Sequence, residues 1–309
     1  MMYVRLTKRN KVIIVLISIG LTIPVLIFLA IEFNRELEEG LVYEIPGMRI
    51  IIPLGRPFNL GLAGLIVAAL MPYTIVIVIN TSYESKIERD LPLFFRELAE
   101  SVRSGIPLIK AIEEISTRGS GPLREEMKRV IFRTALGMTL EESLEMLTRK
   151  VDIYSTKIMS VILNEAYASG ARVIDVLETA GDVYSMLLAF ELERKAKIAP
   201  YAWTVYISLI LFLVISIILT EIFFKPLSTF AVGVPFLRGT LTSDIYEVIF
   251  YYVSLLESIF GGLIVGKMRA GKISRGLLHS IILVGITTLF YGVIVPIISR
   301  FVTLPTVRG

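Results

Sequence analysis

Residues 98–114 read LAESVRSGIPLIKAIEE, and residues 163–179 read LNEAYASGARVIDVLET. Set against each other at an offset of 65 residues, they pair Glu100 with Glu165, Ser104-Gly105 with Ser169-Gly170, and Ile112 with Leu177. Each reads as a helix, a Ser-Gly stop and a second helix, because glycine adopts the left-handed conformation that ends a helix at little steric cost. Two explanations stay open. Any two helical hairpins ending in Ser-Gly look alike, and so would a duplicated three-helix unit. The duplication, which gives a six-helix bundle, is the preferred expectation.

The sequence around these corners keeps the same character from 80 to 197. In DLPLFFRELAESVRSG (90–105) the apolar residues Leu91, Phe94, Phe95, Leu98 and Val102 recur at helical spacing, with Asp90 expected as N-cap and Pro92 in the first turn. A second helix should begin near Pro107 and stop before GSGP at 119–122, and a third should run from 123 to Gly137. Thr139 and Glu142 have the spacing of a capping box for a fourth, TLEESLEMLTRK. A fifth is expected over 152–169 and a sixth from 172 towards 197. The sixth carries Val173, Leu177, Ala180, Tyr184, Leu187 and Glu191 at steps of four and three, a seam for helix packing. Pro200 should interrupt it. No stretch of this region alternates as a strand would.

On either side the chain is strongly apolar. Of 309 residues 54% are hydrophobic, and the mean hydropathy of +0.73 lies outside the range of soluble globular proteins. Five stretches, near 12–31, 60–79, 198–224, 245–266 and 277–298, are long enough to span a hydrocarbon core of about 30 Å. The fold class expected is therefore all-α: a polytopic membrane protein with about five transmembrane helices and a cytoplasmic six-helix bundle. Its divisions are an N-terminal membrane region (1–79), the helical domain (80–197) and a C-terminal membrane region (198–309).

Orientation follows from basic residues in the short flanks. Arg5, Lys8, Arg9 and Lys11 precede the first span with no acid among them, whereas the loop at 32–59 carries Glu32, Glu36, Glu38, Glu39 and Glu44 against three arginines. Lys86, Arg89, Arg194, Lys195 and Lys197 flank the helical domain, and Lys267, Arg269, Lys272 and Arg275 fill the loop at 267–276. The N-terminus is expected in the cytoplasm and the C-terminus outside, in the cell membrane.

Most catalytic chemistries find no residues here. The chain has no cysteine and a single histidine, His279, which excludes disulfides, thiol catalysis and histidine-rich metal sites. GGLIVGKM (261–268) comes one residue short of the phosphate-binding pattern G-x-x-x-x-G-K-[ST]; Met268 has no hydroxyl for magnesium, and the segment lies in an apolar run too long for a strand. It reads instead as the end of a membrane helix, with Gly261, Gly262 and Gly266 there for close packing. Gly61, Gly64 and Ala68 offer a second small-residue face. Glu257 lies inside the fourth span, where an ionised carboxylate costs about 2.5–3.5 kcal/mol on insertion scales. It is expected to face the bundle as a structural anchor, bonded to a hydroxyl such as Ser254. Glu221 and Lys225 form an interfacial pair. Glu100 and Glu165 are candidates for holding a cation or meeting a partner, against the commoner reading as solvated helix faces.

LPLFFRELAESVRSGIPLIKAI, the second corner LNEAYASG and Leu177 resemble the domain of the type II secretion system F family. Its members are platform proteins of type II secretion, type IV pili, Tad pili and archaella. GGLIVGKMRAGKISRGLLHSIIL (261–283) resembles the archaeal branch, in which a G-K-x-x-x-G-x-x-x-x-G-x-x-H pattern closes the penultimate helix and opens the last. Here it falls on Gly266, Lys267, Gly271, Gly276 and His279. The resemblance covers roughly 85–298.

It implies a non-enzymatic platform that passes movement from a hexameric secretion ATPase to pilin or archaellin subunits being drawn from the membrane. Cofactors and nucleic acid have no part in it. The basic loop would face the ATPase or membrane lipid, or serve only as a topological signal. Many platforms carry two such domains and this chain has one, which implies a homodimer or a paralogous partner. The rival expectation is a permease subunit of a transporter driven by a separate ATPase, whose polar midplane groups the spans lack apart from Glu257.

Overall fold

The computed structural model describes residues 3–4, 8–44, 51–227 and 243–302. The chain is helical almost throughout. In order come α1 (Lys8–Glu39), α2 (Arg56–Arg103), α3 (Leu108–Arg118), α4 (Pro122–Ala135), α5 (Leu140–Lys150), α6 (Tyr154–Ser169) and α7 (Val173–Ile217), which winds on through a π-helical stretch at Ile218–Phe224. Then follow α8 (Ser243–Ala270), α9 (Leu277–Leu289), a second π stretch at Phe290–Ile294, and α10 (Val295–Val302). The one sheet among the described residues is a hairpin in the loop after α1, β1 (Val42–Glu44) antiparallel to β2 (Ile51–Pro53), with Tyr43 opposite Ile52. Three-residue strands are too short to leave an alternation in the sequence. Arg5 and Arg49, used above to judge orientation, lie outside the described residues.

Contacts divide the chain into two compact units, Met1–Lys11 with Val76–Lys197, and Val12–Ile75 with Ile198–Gly309. The first unit is a bundle of six helical segments: the end of α2, then α3 to α6, then the start of α7. Its core joins Leu91, Phe94, Phe95 and Leu98 of α2 to Ile112, Met127, Leu144, Met159, Leu163 and Leu177. Each such side chain contributes roughly 1.5–3 kcal/mol through burial. Phe95 stacks on Tyr184 at 5.4 Å, and the Tyr184 hydroxyl donates to the Ser155 carbonyl at 3.2 Å.

The expected helix start at Asp90 is not there. α2 runs through Asp90 and Pro92 without a break, because the buried stripe begins upstream with Tyr83 and Ile87 and continues in register. Against that burial Pro92 forfeits one intrahelical bond. The Asp90 carboxylate lies instead beside Gly121 at the start of α4, where a Cβ on the glycine would come within 2.9 Å of Oδ2. An acid is favoured at that end of a helix. Pro200 likewise sits inside α7, which is continuous where an interruption was expected. The seam on α7 is buried at Leu177, Ala180 and Tyr184 but stops there, Leu187 being 56% exposed.

The helix ends are set by local chemistry. Gly105 has φ 93°, and the bonds Gly105 N–H to Val102 O (2.9 Å) and Ile106 N–H to Ser101 O (3.2 Å) close α2 in a Schellman motif. Thr139 and Glu142 form the expected capping box of α5. Gly170, at φ 54°, opens a 3₁₀ turn, Gly170–Arg172, before α7. The two Ser-Gly corners therefore differ in geometry. They also join the first to the second and the fifth to the sixth segment of the bundle, whereas a repeated three-helix unit would put the second corner between the fourth and fifth. The duplication is not present; Ser-Gly is a shared local stop.

Glu126 of α4 is buried among Lys150 (2.8 Å), Arg129 and the Tyr83 hydroxyl (3.1 Å). Burial pushes its carboxyl up, but the hydrogen bonds from Lys150 and Arg129 outweigh it and hold the group below the usual carboxylate range. A folded-state value below the unfolded one gives stability that is present at neutral pH and lost as pH falls through the folded value.

The second unit is built from helices long and apolar enough to cross a membrane, of which there are five among the described residues. Leu209, Leu213, Tyr251, Leu255, Leu283 and Tyr291 fill its centre, while residues such as Leu16, Ile31 and Phe260 are exposed on the outside as lipid-facing side chains are. The protein is a multi-pass membrane protein. Of the small-residue face on α2, Gly61 packs on Leu29 and Phe28 of α1, whereas Gly64 has open space around it and Ala63 is the buried neighbour.

These two glycines supply opposed tests. A Cβ at Gly105 meets no atom within 4 Å, so Gly105→Ala should lower unfolding stability through backbone strain alone, by about 1–2 kcal/mol. Gly64→Ala, in open space within a helix, should raise it by about 0.5–1 kcal/mol. Thermal unfolding of the detergent-purified variants measures both signs.

Candidate functional site

The C-terminal motif residues converge on one feature, the hairpin of α8 and α9. A Cβ at Gly262 would lie 2.2 Å from the Ser280 nitrogen, one at Gly266 2.0 Å from Gly276 Cα, and one at Gly276 2.6 Å from the Gly262 carbonyl oxygen. The two backbones touch, and no side chain fits between them. Close approach of this kind is how membrane helices gain packing energy without a hydrophobic drive. Ser280 donates to the Ile259 carbonyl at 2.8 Å and Ser258 meets Thr287 at 2.9 Å, which fixes the register along the hairpin. Gly271, at φ 68°, makes the turn.

GGLIVGKM lies wholly inside α8. Its N–H groups belong to the helix, and its glycines pack on other helices, Gly262 and Gly266 on α9 and Gly261 on Val205 of α7, instead of wrapping an anion. Lys267 and Arg269 occupy the last turn of α8, where cations suit the helix dipole. Together with Lys272 they are exposed, and among the described residues none of the three has an ion-pair partner. Arg275 is half-buried in the 3₁₀ turn Ile273–Gly276. The hairpin thus presents three unpaired positive charges on a turn of fixed geometry.

His279 is half-buried, with Nδ1 2.6 Å from the Tyr206 hydroxyl on α7. This ties α9 to α7 one turn from the loop. Glu257 is half-buried too, but its partner differs from the expected one: Ser208 of α7 donates to Oε1 at 3.1 Å. Ser254 lies on the buried face of α8 and donates to the Tyr251 carbonyl at 2.8 Å, so it is not available. Glu221, in the π stretch of α7, and Lys225, just past its end, pair at 2.8 Å.

The corner residues do not assemble into a site. Glu100 and Glu165 are both exposed on solvated faces, and no contact links them. Ser104 and Ser169 donate back to the Ser101 and Ala166 carbonyls of their own helices, at 2.7 and 2.9 Å. Among the described residues no group of His, Asp and Glu could hold a metal ion.

A polar corner in the second unit gave no sequence signal. Glu36, fully buried at the end of α1, accepts the Gly55 N–H at 2.9 Å through Oε2, while its Oε1 has no partner. Asn59 is 5% exposed and donates through Nδ2 to the Pro53 and Gly55 carbonyls, leaving Oδ1 unpaired. Arg56 grips Glu247 of α8 with two bonds, 3.0 and 3.2 Å. An unpaired buried acceptor costs about 1–3 kcal/mol. Glu36 stood among acids read only as an outside loop, and its burial depends on the β-hairpin.

With this geometry in place, comparison with known proteins assigns part of the chain. Residues 94–220 match the family model for type II secretion system protein F. The F-type domain so defined begins in the buried stripe of α2, takes in α3 to α6, and ends within the π stretch of α7. A curated relative, an uncharacterized protein of Methanocaldococcus jannaschii, is 26% identical over 216 residues, which make up 68% of this chain and 35% of that protein. The chain thus spans about a third of the relative's length in the matched region. No solved structure matches.

The glycine contact predicts a sharp positional contrast. Gly266→Ala should destabilise the α8–α9 hairpin by about 1–3 kcal/mol or more, as overpacking does. Gly285→Ala, where a Cβ meets nothing within 4 Å, should leave stability unchanged or slightly raised. Denaturation curves of the two variants in the same detergent read the difference.

Proposed function

We propose that the chain is a membrane platform of a type IV pilus-like machine of the archaeal pilus or archaellum kind. In this reading it couples a cytoplasmic secretion ATPase to the extraction of pilin or archaellin subunits and their assembly into a filament. The observation that carries the proposal is the F-type domain at 94–220, joined to a multi-pass membrane region whose α8–α9 turn holds Lys267, Arg269 and Lys272 exposed and, among the described residues, without an ion-pair partner. Energy conversion falls to the partner. The one phosphate-loop-like stretch of this chain is locked into helix packing, which supports a platform without enzymatic activity.

The basic turn is the surface we assign to the ATPase. Charges held on a rigid turn attract an acidic face over a Debye length of about 8 Å at physiological salt, and fix its orientation more than its affinity. The same reading puts the N-terminus and the six-helix bundle in the cytoplasm and the C-terminus outside, in accord with the basic flanks. In the same reading the chain pairs with a second copy of itself or with a paralogous platform subunit, which brings two F-type domains together.

Two measurements test this. Arg269→Glu with Lys272→Glu should leave expression and insertion intact, weaken ATPase association in a salt-dependent way and abolish filaments; normal filaments from the inserted double variant would reduce the turn to a topological signal. For orientation, Glu38→Cys should react with an impermeant thiol reagent on intact cells, while Ser120→Cys and Ile273→Cys should react only after lysis. The opposite pattern would invert the topology.

A further inference from the structure

At the basic end of the second unit, side chains of α7, α8 and α9 form a cluster. Its rings run in a chain: Trp203 lies 5.9 Å from Tyr206, and Tyr206 6.0 Å from His279, centroid to centroid. Arg269 is close enough to act electrostatically on both the Tyr206 hydroxyl and the His279 ring. The proposed function gives the three rings no task. Their hydrogen-bonding capacity is only partly used. One proton joins the Tyr206 hydroxyl to His279 Nδ1 at 2.6 Å. If the hydroxyl donates it, Nε2 of the neutral ring keeps its N–H; if Nδ1 donates, the hydroxyl keeps its O–H. A donor is left over either way. Nε2 carries no hydrogen bond and is not one of the buried unpaired atoms, so it reaches the surface. The Arg269 guanidinium is exposed and has no ion-pair partner among the described residues. The sequence sets no carboxylate against these donors, since no Asp or Glu occurs between Glu193 and Glu221 or after Glu257.

We propose that Arg269 and the Tyr206–His279 pair bind the phosphate of an anionic phospholipid headgroup. A guanidinium matches two phosphate oxygens at once, and the leftover donor of the pair serves a third. Trp203 favours a lipid over a soluble phosphate. It is 67% exposed beside Tyr206, and Trp and Tyr collect at the headgroup level of a membrane. From Trp203 the exposed residues Ile207, Ile210 and Val214 continue at steps of four, three and four, one face of α7. An acyl chain lying along that face keeps apolar contact below the phosphate, whereas a soluble phosphate would use none of it. Basic groups beside a membrane are drawn to anionic lipid in the same way. The inference stands apart from the platform reading, because Trp203, Tyr206 and His279 are not part of the surface assigned to the ATPase.

Trp203 is the one tryptophan of the chain, so its fluorescence reports from the cluster. The detergent-purified full chain would be titrated with phosphatidylglycerol and with phosphatidylcholine, both carrying brominated acyl chains that quench tryptophan on contact. Quenching should saturate, with phosphatidylglycerol bound about fivefold more tightly, the effect of one basic residue at an anionic surface. Arg269→Gln, at an exposed position that folding does not need, should remove most of that preference, and His279→Leu should reduce it. Lys272→Gln removes the same charge from the turn, at a residue not among the groups that act on Tyr206 or His279, and should keep the preference. Equal quenching by the two lipids, or equal losses from Arg269→Gln and Lys272→Gln, would overturn the proposal. Competition separates the sources of negative charge. Inorganic phosphate and polyglutamate should leave the quenching by phosphatidylglycerol in place; its release by phosphate would assign the cluster to a soluble phosphate, and its release by polyglutamate alone would assign it to an acidic protein.

Discussion

The contact of backbone on backbone at Gly262, Gly266 and Gly276 is the constraint on which the second unit depends. Within a membrane, helices gain nothing from hiding apolar surface from lipid, so dispersion contacts at short range and a few hydrogen bonds must hold them. The glycines bring α8 and α9 close enough for Ser280 to reach the Ile259 carbonyl and Ser258 to reach Thr287. That register then sets the turn at Gly271 and the exposure of Lys267, Arg269 and Lys272. Tyr206 and His279 extend the same order to α7.

The helical bundle of the first unit is held by different physics. Burial of Leu91, Phe94, Phe95 and Leu98 along α2 outweighs local signals, which is why neither Asp90 nor Pro92 starts a helix there. Where burial does not decide, capping does: the Schellman closure at Gly105 and the capping box at Thr139 and Glu142 place helix ends where the sequence marks them. Charges that do enter the interior are matched, as Glu126 is by Lys150 and Arg129.

The legible features were those written in periodicity and in cap chemistry: the five apolar spans, the six helical segments and the stops at Gly105, Gly137 and Gly170. Gly262 and Gly266 were expected to serve close packing, but that Gly276 is the glycine facing them, and that Gly271 makes the turn, was not written in the sequence. Partnerships across helices were not legible. Ser208 as the partner of Glu257 depends on the rotation of α7 against α8, which no local spacing encodes. The two Ser-Gly corners misled for a related reason, since a similar local stop can sit at non-equivalent places in a bundle. The Glu36 and Asn59 corner was hidden because burying an acid at the end of a span requires the short hairpin that folds over it, and three-residue strands carry no pattern.

The central claim is that this chain is a platform acting on a separate motor, and reconstitution tests it most directly. The purified full chain would be placed in nanodiscs and mixed with the secretion ATPase of the same cell, and ATP hydrolysis followed with each component alone and with both together. The account predicts no hydrolysis by the chain alone, and a saturable change in the turnover of the ATPase when the chain is added. Hydrolysis by the chain itself, or an ATPase rate indifferent to a correctly folded chain at any concentration, would contradict it.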